Sequence, residues 1–250
     1  IPIVLHDGNA RIGKANRLLS RYAEALGTAF PAVNASALHC PCQVTGMPLR
    51  PELQCDRLPR EQALAALNGK YNGRLTADRF TILLFGGSQG ARKLNRAVGT
   101  AFRKLTATGK KWQLIHLTGA GELNAMNQFW QGTAAPVLVL GTLPEMNWAY
   151  DAADVVVARS GGSSAAELNA FGKYALVVPY PFASEGHQTD NAQYLAGLGA
   201  AEVVDNENLT PELAERLLLK FASDPVLRER GVQAAQPDAW DGSAHVLAML

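Results

Sequence analysis

Two glycine-rich turns of this 250-residue chain have the form of phosphate-binding turns. Gly86–Ala91 follows the apolar run Thr81–Phe85, and Arg159–Ser164 follows Val155–Ala158. A turn that ends a strand and opens a helix leaves unpaired backbone N–H groups at the positive end of the helix dipole, and this arrangement suits a phosphate. Two such turns predict a diphosphate. Glu167, one helical turn after the second, predicts a sugar diol beside it.

Individual residues of these turns have alternative interpretations. Ser88 and the backbone N–H of Gln89 either bind phosphate, or Ser88 is simply the N-cap of a tight turn. Glu167 either accepts hydrogen bonds from both ribose hydroxyls or forms a capping box with Ser164, because Ser-x-x-Glu is that motif. One carboxylate cannot fully serve both roles.

Further polar side chains follow strand ends. Arg50 and Arg159 have two functional interpretations, neutralising a diphosphate or framing a base. The structural alternative is that they are ordinary surface arginines. Gln188 and Asn191 come after Pro179–Phe182, and their amides either recognise sugar hydroxyls or belong to a polar loop before a capped helix. The sequence contains no Asp-x-Asp, so we expect no metal bridge to a diphosphate; helix N-termini and arginines would stabilise its charge.

From Thr81 onward, apolar runs alternate with helical patterns. The runs are continuously hydrophobic, which predicts strands buried on both faces in a doubly wound, parallel α/β sheet that binds ligands at the carboxyl ends of its strands. The predicted strands are Thr81–Phe85, Gln113–Leu117, Val137–Leu140, Val155–Ala158, Ala175–Val178 and Ala201–Val204. The predicted helices are Ala91–Thr106, Glu122–Trp130, Met146–Ala152, Ser164–Phe171 and Thr189–Gly197, with two more capped by Thr210 and Asp224.

The pattern before Thr81 differs and predicts a strand at Ile1–Leu5 and a helix at Ala15–Leu26. We therefore divide the chain into three parts. Residues 1–47 are predicted to be the end of a second α/β domain, residues 48–235 a ligand-binding domain, and residues 236–250 a C-terminal helix.

The composition restricts the class of protein. Apolar residues make up 48% of the chain and the net charge is +1, which favours a globular protein and gives no support to a nucleic-acid partner. Three cysteines without a pairing framework fit a reducing, cytoplasmic compartment. The spacing of Cys40 and Cys42 is shorter than that of a zinc knuckle, so no metal site is expected.

Taken together, the motifs resemble the MurG family of bacterial transferases, which add N-acetylglucosamine to the lipid-linked muramoyl-pentapeptide of peptidoglycan synthesis. The similarity runs along essentially the whole chain. It is carried by residues 6–9, 46–50, 86–91, 116–119 and 159–167, and by His187-Gln188 with Asn191-Ala192. The order Gly-Gly-Ser-Gln-Gly-Ala, then Arg-Ser-Gly and Glu, is the specific part of this signature.

The resemblance implies a GT-B fold, with a Rossmann-like C-terminal domain and a remnant of a second α/β domain. It implies inverting, metal-independent transfer from UDP-N-acetylglucosamine without a cofactor, to a lipid-linked acceptor, by a cytoplasmic protein peripheral to the inner face of the bacterial membrane. By the same resemblance Asn9 would approach the donor sugar, Arg50 the nucleotide, Ser88 and Gln89 the phosphates, and the Leu143 main chain the uracil. Gly162–Ala166 would line the diphosphate, and the amides of Gly161, Gly162, Ser163 and Ser164 would stabilise the departing UDP. Glu167 would hold the ribose, and Gln188 and Asn191 would contact the hydroxyls of N-acetylglucosamine.

Several features depart from the family pattern. Asp7-Gly8 stands where the family usually has Glu-Gln, and Met47 where it has asparagine. Most of the family's N-terminal domain, which supplies acceptor contacts and the candidate base, has no counterpart here, so we expect the chain to bind donor better than it turns it over. The alternatives are a donor-binding module that needs a partner chain, a GT-B transferase with another sugar or acceptor, and a UDP-N-acetylglucosamine 2-epimerase. The epimerase would be expected to carry Arg-Pro-Glu where this chain has Pro179–Ala183.

Overall fold

The computed structural model describes residues 1–54, 57–87, 91–235 and 242–249, and within them the strands form two parallel sheets. The smaller sheet has the order β1-β2-β3, from β1 (Val4–Asp7), β2 (Ala25–Thr28) and β3 (Cys42–Val44). The larger has the order β6-β5-β4-β7-β8-β9, from β4 (Phe80–Phe85), β5 (Trp112–Leu117), β6 (Val137–Leu140), β7 (Val155–Ala158), β8 (Ala175–Val177) and β9 (Ala201–Val203).

Helices connect these strands. They are α1 (Lys14–Leu19), α2 (Arg60–Tyr71), α3 (Arg92–Ala107), α4 (Leu123–Trp130), α5 (Met146–Ala152), α6 (Gly162–Ala170), α7 (His187–Gly197), α8 (Pro211–Ser223), α9 (Pro225–Gln233) and α10 (Gly242–Leu247). The prediction that Thr210 and Asp224 cap helices is confirmed, since their side chains accept hydrogen bonds from the backbone N–H groups of Leu213 and Val226. No helix in the described ranges is both long and apolar enough to cross a membrane.

The larger sheet is covered by helices on both faces. Leu83 and Phe85 of β4 pack into one core with residues of α2, α5, α6 and α7. Ile82 and Leu84 point to the other face and pack with residues of α3, α4, α8 and α9. Alternate residues of one continuously apolar strand therefore fill two separate cores, which confirms the predicted doubly wound α/β fold.

The strand order places the ends of β4 and β7, where the two glycine turns begin, side by side. The chain moves outward from β4 through β5 to β6, then returns to β7, which pairs with β4 on its other side. This reversal creates a crevice at the carboxyl ends of β4 and β7, the usual ligand position in such sheets. Phe85 lies opposite Ala158 in the register, so Gly86 and Arg159, the residues that follow these strands, are neighbours.

The first 47 residues differ from the sequence prediction. The helix predicted at Ala15–Leu26 is wrong: α1 ends at Leu19, a short 3-10 turn follows, and Ala25–Thr28 is the central strand β2. Strand β3 was not predicted, and the first strand lies at Val4–Asp7 rather than at Ile1–Leu5. Because β2 pairs with both other strands, long-range pairing decides its conformation over the local helical pattern.

Helix α10 returns to the segment that joins the two sheets. A Cβ on Gly242 would lie 2.5 Å from the carbonyl carbon of Met47, so only a glycine permits this approach. The Nδ1 atom of His245 lies 2.9 Å from the carbonyl oxygen of Thr45. The three-part domain division remains a prediction, but the C-terminal helix contacts the end of its first part.

A buried histidine and a half-buried lysine make the stability of this fold depend on pH. Burial lowers the pKa of His116 from 6.5 to about 3, so the native state keeps the imidazole neutral while the unfolded chain binds a proton. Stability therefore falls as the pH drops below 6.5 towards 3. Burial, more than any neighbouring charge, lowers the pKa of Lys173 from 10.5 to about 8, so stability rises with pH between 8 and 10.5.

Candidate functional site

A cavity of about 400 Å³ lies at the crevice beyond β4, β5 and β7. The segment that joins the two sheets and the helix α6 both contribute to its lining. The lining residues are Met47, Pro48, Leu49, Arg50, Phe85, Gly87, Leu117, Gly141, Thr142, Leu143, Met146, Ser163, Ser164 and Glu167. Five of the predicted site residues are thus in one cavity: Arg50, Leu143, Ser163, Ser164 and Glu167.

Glu167 is the acidic group of this cavity, and only 8% of it is exposed. Burial raises the pKa of its carboxyl group, while a hydrogen bond from Tyr150 and the charge of Arg50 act in the opposite direction. The Tyr150 hydroxyl donates to Oε2 of Glu167 at 2.8 Å. The carboxylate is therefore held in place from the protein interior, where Tyr150 is completely buried.

The capping-box interpretation of Ser164 and Glu167 is wrong. Helix α6 begins at Gly162 with Gly161 as its N-cap, so Ser164 lies inside the first turn rather than at the cap. The hydrogen bond that Glu167 accepts comes from Tyr150. Its ribose role remains a prediction, and the structure leaves the carboxylate in the wall of the cavity.

The first turn of α6 presents backbone N–H groups at the cavity. The first intrahelical bond runs from the N–H of Ala165 to the carbonyl of Gly161 at 2.9 Å. Gly162, Ser163 and Ser164 precede it, and their N–H groups make no hydrogen bond within the described residues. These groups carry the positive end of the helix dipole, which is an electrostatically favourable position for a negative charge.

Arg50 and Leu143 supply the remaining polar groups of the cavity. The Arg50 side chain is exposed and makes no hydrogen bond or ion pair within the described part of the chain, so its charge is free to pair with an anion. The Leu143 side chain is buried, whereas its backbone N–H and C=O groups have no partner among the described residues. A planar base could pair with these main-chain groups.

Asn9, Gln188 and Asn191 lie next to this cavity rather than in its wall. They belong to a contact surface between residues 7–17 and residues 184–191, which we call the seam. Asn191 is fully buried; its Oδ1 accepts from Ala10 N–H at 2.8 Å, and its Nδ2 donates to Asn9 Oδ1 and to the Ser160 carbonyl, each at 3.0 Å. The Ser160 hydroxyl donates to the carbonyl of Gln188 at 2.7 Å.

Glycines bring the seam against α6. A Cβ on Gly162 would lie 2.1 Å from the carbonyl oxygen of Gly8 and 3.0 Å from Oδ1 of Asn9. No side chain larger than hydrogen fits at Gly162 without moving that backbone. The first turn of α6 is therefore shared by the cavity and the seam.

Arg159 is held away from the cavity. Its guanidinium donates to the carbonyls of Val178 and Pro179, each at 3.0 Å, and to Asn206 Oδ1 at 2.8 Å. Burial lowers the pKa of Arg159, and no carboxylate pairs with it in the described ranges. It supports the loop after β8, so its predicted contact with a diphosphate would require a different side-chain position.

The predicted and the observed site residues do not coincide completely. Ser88 and Gln89 lie outside the described residues. Sequence reasoning missed Tyr150, because a tyrosine within an apolar helix gives no signal of its partner. It also missed Asp7, which accepts hydrogen bonds from the backbone and side chain of Asn9 at 3.1 and 3.2 Å. The Asp-x-Asn spacing was the available signal.

Comparison with known proteins identifies the family of this chain. The model of the glycosyltransferase family 28 C-terminal domain matches residues 81–241. The UDP-N-acetylglucosamine--N-acetylmuramyl-(pentapeptide) pyrophosphoryl-undecaprenol N-acetylglucosamine transferase of Clavibacter michiganensis subsp. michiganensis is 38% identical over 236 residues, which are 94% of this chain and 60% of the relative. The enzyme of the same name from Burkholderia lata is 36% identical over 253 residues, covering 99% of this chain and 65% of the relative.

Solved structures show the same fold. The crystal structure of Acinetobacter baumannii MurG matches all of this chain and 66% of its own, with a TM-score of 0.75 and 28% identity. This likeness confirms the predicted GT-B type of α/β architecture. The chain spans 60 to 65% of the length of the curated relatives named above.

Proposed function

This chain belongs to glycosyltransferase family 28, and on that premise we propose that its cavity binds the donor UDP-N-acetylglucosamine. The transfer that we propose moves N-acetylglucosamine to a lipid-linked muramoyl-pentapeptide, the reaction in the names of its relatives. The observation that supports this proposal is that one cavity brings together the buried carboxylate of Glu167, the unpaired N–H groups of the first turn of α6, and the Arg50 side chain.

Each part of a nucleotide sugar has a complementary group there. We assign uracil to the main chain of Leu143, the ribose diol to Glu167, and the diphosphate to Gly161–Ser164 together with Arg50. A diol donates two hydrogen bonds and a carboxylate accepts them, whereas a diphosphate needs donors and positive charge. We also assign the phosphates to Ser88 and Gln89, from the resemblance alone.

The sugar end belongs at the seam. Asn9, Gln188 and Asn191 belong to the seam, which contacts the first turn of α6, and we assign the sugar of the donor to this side of the cavity. The Gln188 carbonyl and amide oxygens already accept from Ser160 and from the backbone N–H of Tyr180. Amide side chains suit hydroxyl groups because they both donate and accept.

In the proposed transfer, an acceptor hydroxyl attacks the anomeric carbon with inversion while UDP departs. The negative charge that develops on the diphosphate would be stabilised by the α6 N–H groups and Arg50, without a metal ion. Loss of one such donor typically costs about 3 kcal/mol in the transition state. The catalytic base and the acceptor contacts are assigned to the N-terminal domain of the family.

The lipid-linked acceptor places this reaction at a membrane surface. We propose that the protein works in the cytoplasm, bound peripherally to the inner face of the bacterial membrane. No nucleic-acid partner is proposed, since the net charge of the chain is only +1.

Calorimetry with the 250-residue chain tests the donor assignment. We expect UDP-N-acetylglucosamine and UDP to bind, UDP-glucose to bind more weakly than the N-acetyl sugar, and GDP not to bind, with unchanged affinities in the presence of a chelator. Absence of binding by every uridine nucleotide would refute the proposal. Binding that disappears with the chelator would refute the metal-independent site.

A transfer assay separates the catalytic alternatives. Transfer to a lipid-linked acceptor by this chain alone would show an autonomous enzyme, whereas transfer only after addition of a family N-terminal domain would show a donor-binding module. Conversion of the donor to an epimerised UDP-sugar would instead favour the 2-epimerase alternative.

A further inference from the structure

A second cavity, of about 390 Å³, lies beside β6, the strand at one edge of the larger sheet. We call it the edge pocket; it is lined by residues 71–74, by Asn127 and Trp130 of α4, and by residues 133–139. Residues 133–136 lead into β6, so the edge pocket lies towards the amino ends of the strands. The cavity proposed for the donor lies beyond their carboxyl ends, and the two cavities share no lining residue.

The backbone of β6 has unpaired hydrogen-bonding groups along its outer side. The carbonyls of Pro136 and Leu140 accept from the chain of the neighbouring strand β5 and the residue after it. Backbone groups alternate between the two sides of a strand, so those of Val137 and Val139 face away from β5, where β6 has no neighbouring strand in the described part of the chain. Both valines line the edge pocket, which therefore presents two N–H and two C=O groups to an incoming strand.

The side chains of these two valines do not form the outer edge. Val137 and Val139 pack against the core that contains α3 and α4. A molecule seated on the edge of β6 therefore meets its backbone, and pairing there depends little on which side chains β6 carries.

Arg74 gives the edge pocket a single positive charge. It is the one charged residue among the described residues that line the pocket. Its side chain is exposed and makes no hydrogen bond or ion pair within the described ranges, whereas the nearby Lys70 is already paired with Glu145 at 2.6 Å. A carboxylate is the group that complements a free guanidinium best, because it accepts two parallel hydrogen bonds from it.

The wall of the edge pocket also contains an unsatisfied hydroxyl group. Thr133 Oγ1 is buried and has no hydrogen-bond partner among the described residues. The polar hydrogen of the neighbouring Trp130 is engaged elsewhere, since its Nε1 donates to Nδ1 of His116 at 3.0 Å. Buried polar groups without a partner are rare in folded proteins, and a bound polar group that reached this hydroxyl would remove its cost.

We propose that the edge pocket docks an extended segment of a partner protein, which adds to β6 as a further strand and places an acidic side chain against Arg74. The backbone groups of Val137 and Val139 supply the pairing, as edge strands do when they bind peptides. A small anion would use Arg74 and leave the edge of β6 unpaired, so a peptide satisfies more of the pocket. Because the two cavities are separate, partner and donor bind independently.

A peptide of defined sequence tests this docking. The probe is Thr-Val-Glu-Val-Thr with blocked ends, titrated into the 250-residue chain and followed by NMR, and glutamine replaces glutamate in the control peptide. The amide signals of Val137 and Val139 should shift, and their hydrogen exchange should slow several-fold at saturation. The glutamate peptide should bind the wild type about two- to fivefold more tightly than the glutamine peptide, and Arg74→Gln should bind both alike.

Two substitutions at Val139 separate backbone pairing from side-chain contact. Val139→Pro removes the outward N–H and keeps the pairing with β5, because proline is tolerated where the N–H of an edge strand faces outward. Val139→Ala keeps that N–H and is the matched control. The proline variant should bind the glutamate peptide about fivefold or more weakly, and the alanine variant within about twofold of wild type. Equal effects would overturn strand addition.

A modified peptide keeps the test decisive if Val139→Pro fails to fold. The glutamate peptide with methylated backbone nitrogens cannot donate to the edge of β6 and should not bind the wild type. Binding of this peptide, or no shift at β6 with the unmodified one, would overturn the proposal.

Other occupants of the edge pocket give different results. Acetate that binds as tightly as the glutamate peptide would show a simple anion site. Dimers of the chain with slow exchange at Val137 and Val139 and no peptide present would show a second copy on this edge. Either result would overturn the proposal. The affinity for UDP-N-acetylglucosamine should be unchanged at saturating peptide, so this test stands or falls separately from the donor assignment.

Discussion

Replacement of Glu167 by alanine is the sharpest test of how the cavity binds a nucleotide. If Glu167 holds the ribose, the variant loses at least one hydrogen bond to an ionised group, and one such bond is worth about 1.5–3 kcal/mol. UDP affinity should therefore fall roughly 10- to 150-fold. Calorimetry with UDP measures this loss of affinity directly, since Glu167 lines the cavity.

Tyr150→Phe is the matched control for Glu167→Ala. Both variants remove the same 2.8 Å hydrogen bond, but only one removes the carboxylate. Both should lose stability, since a buried partner is left unsatisfied at a cost of about 1–3 kcal/mol. Only Glu167→Ala should lose most of its UDP affinity. A large and equal loss in both variants would mean that packing, and not the carboxylate, governs binding.

The pH dependence and a modified ligand complete this test. The ionised carboxylate accepts hydrogen bonds better than the acid, so UDP affinity should fall as the pH drops through the raised pKa of Glu167. Because Tyr150 opposes that rise, the fall should occur at higher pH in Tyr150→Phe. The wild type should bind 2′-deoxy-UDP more weakly than UDP, and Glu167→Ala should not discriminate. A Glu167→Ala variant that binds UDP within about twofold of wild type would refute the ribose assignment.

Three further predictions concern stability. Gly162→Ala should destabilise the protein by about 1–3 kcal/mol in urea unfolding, because its Cβ would meet the Gly8 carbonyl at 2.1 Å. Gly161→Ala, whose Cβ would have no neighbour within 4 Å, is the control, and equal losses would contradict this reasoning. The wild type should lose about 2 kcal/mol between roughly pH 8 and pH 5 through His116, a loss that His116→Asn should largely abolish. Through Lys173 the wild type should gain about 2.5 kcal/mol between roughly pH 7 and pH 10, and a Lys173→Met variant with the same gain would exclude this lysine as the cause.

The larger sheet could be predicted from the sequence because its strands are buried on both faces and are therefore apolar along their whole length. Val137–Leu140 and Val155–Ala158 were predicted with the bounds that the structure has, as was helix Met146–Ala152. A continuously apolar run flanked by glycines has few stable conformations other than a parallel strand that is covered on both faces. Local composition and tertiary burial agree there.

The smaller sheet could not be predicted in the same way. Ala25–Thr28 continues a helical pattern from α1, and Cys42–Val44 is only three residues long and mostly exposed. Their strand conformation depends on pairing with each other and with β1, across gaps in sequence that no local pattern encodes. Short runs of this kind are ambiguous until a partner strand is known.

The sequence by itself determined the two glycine turns, the sheet that carries them, and a carboxylate one turn into α6. Those features depend on spacing along one strand and one helix, which the residue order contains. Only the tertiary structure decided which of them act together. It turned Arg159 away from the cavity, joined Tyr150 to Glu167, and brought Asn9 to Asn191, 182 residues apart. Buried polar groups must find hydrogen-bond partners wherever the fold places them, so these partnerships are set by packing rather than by neighbours in sequence.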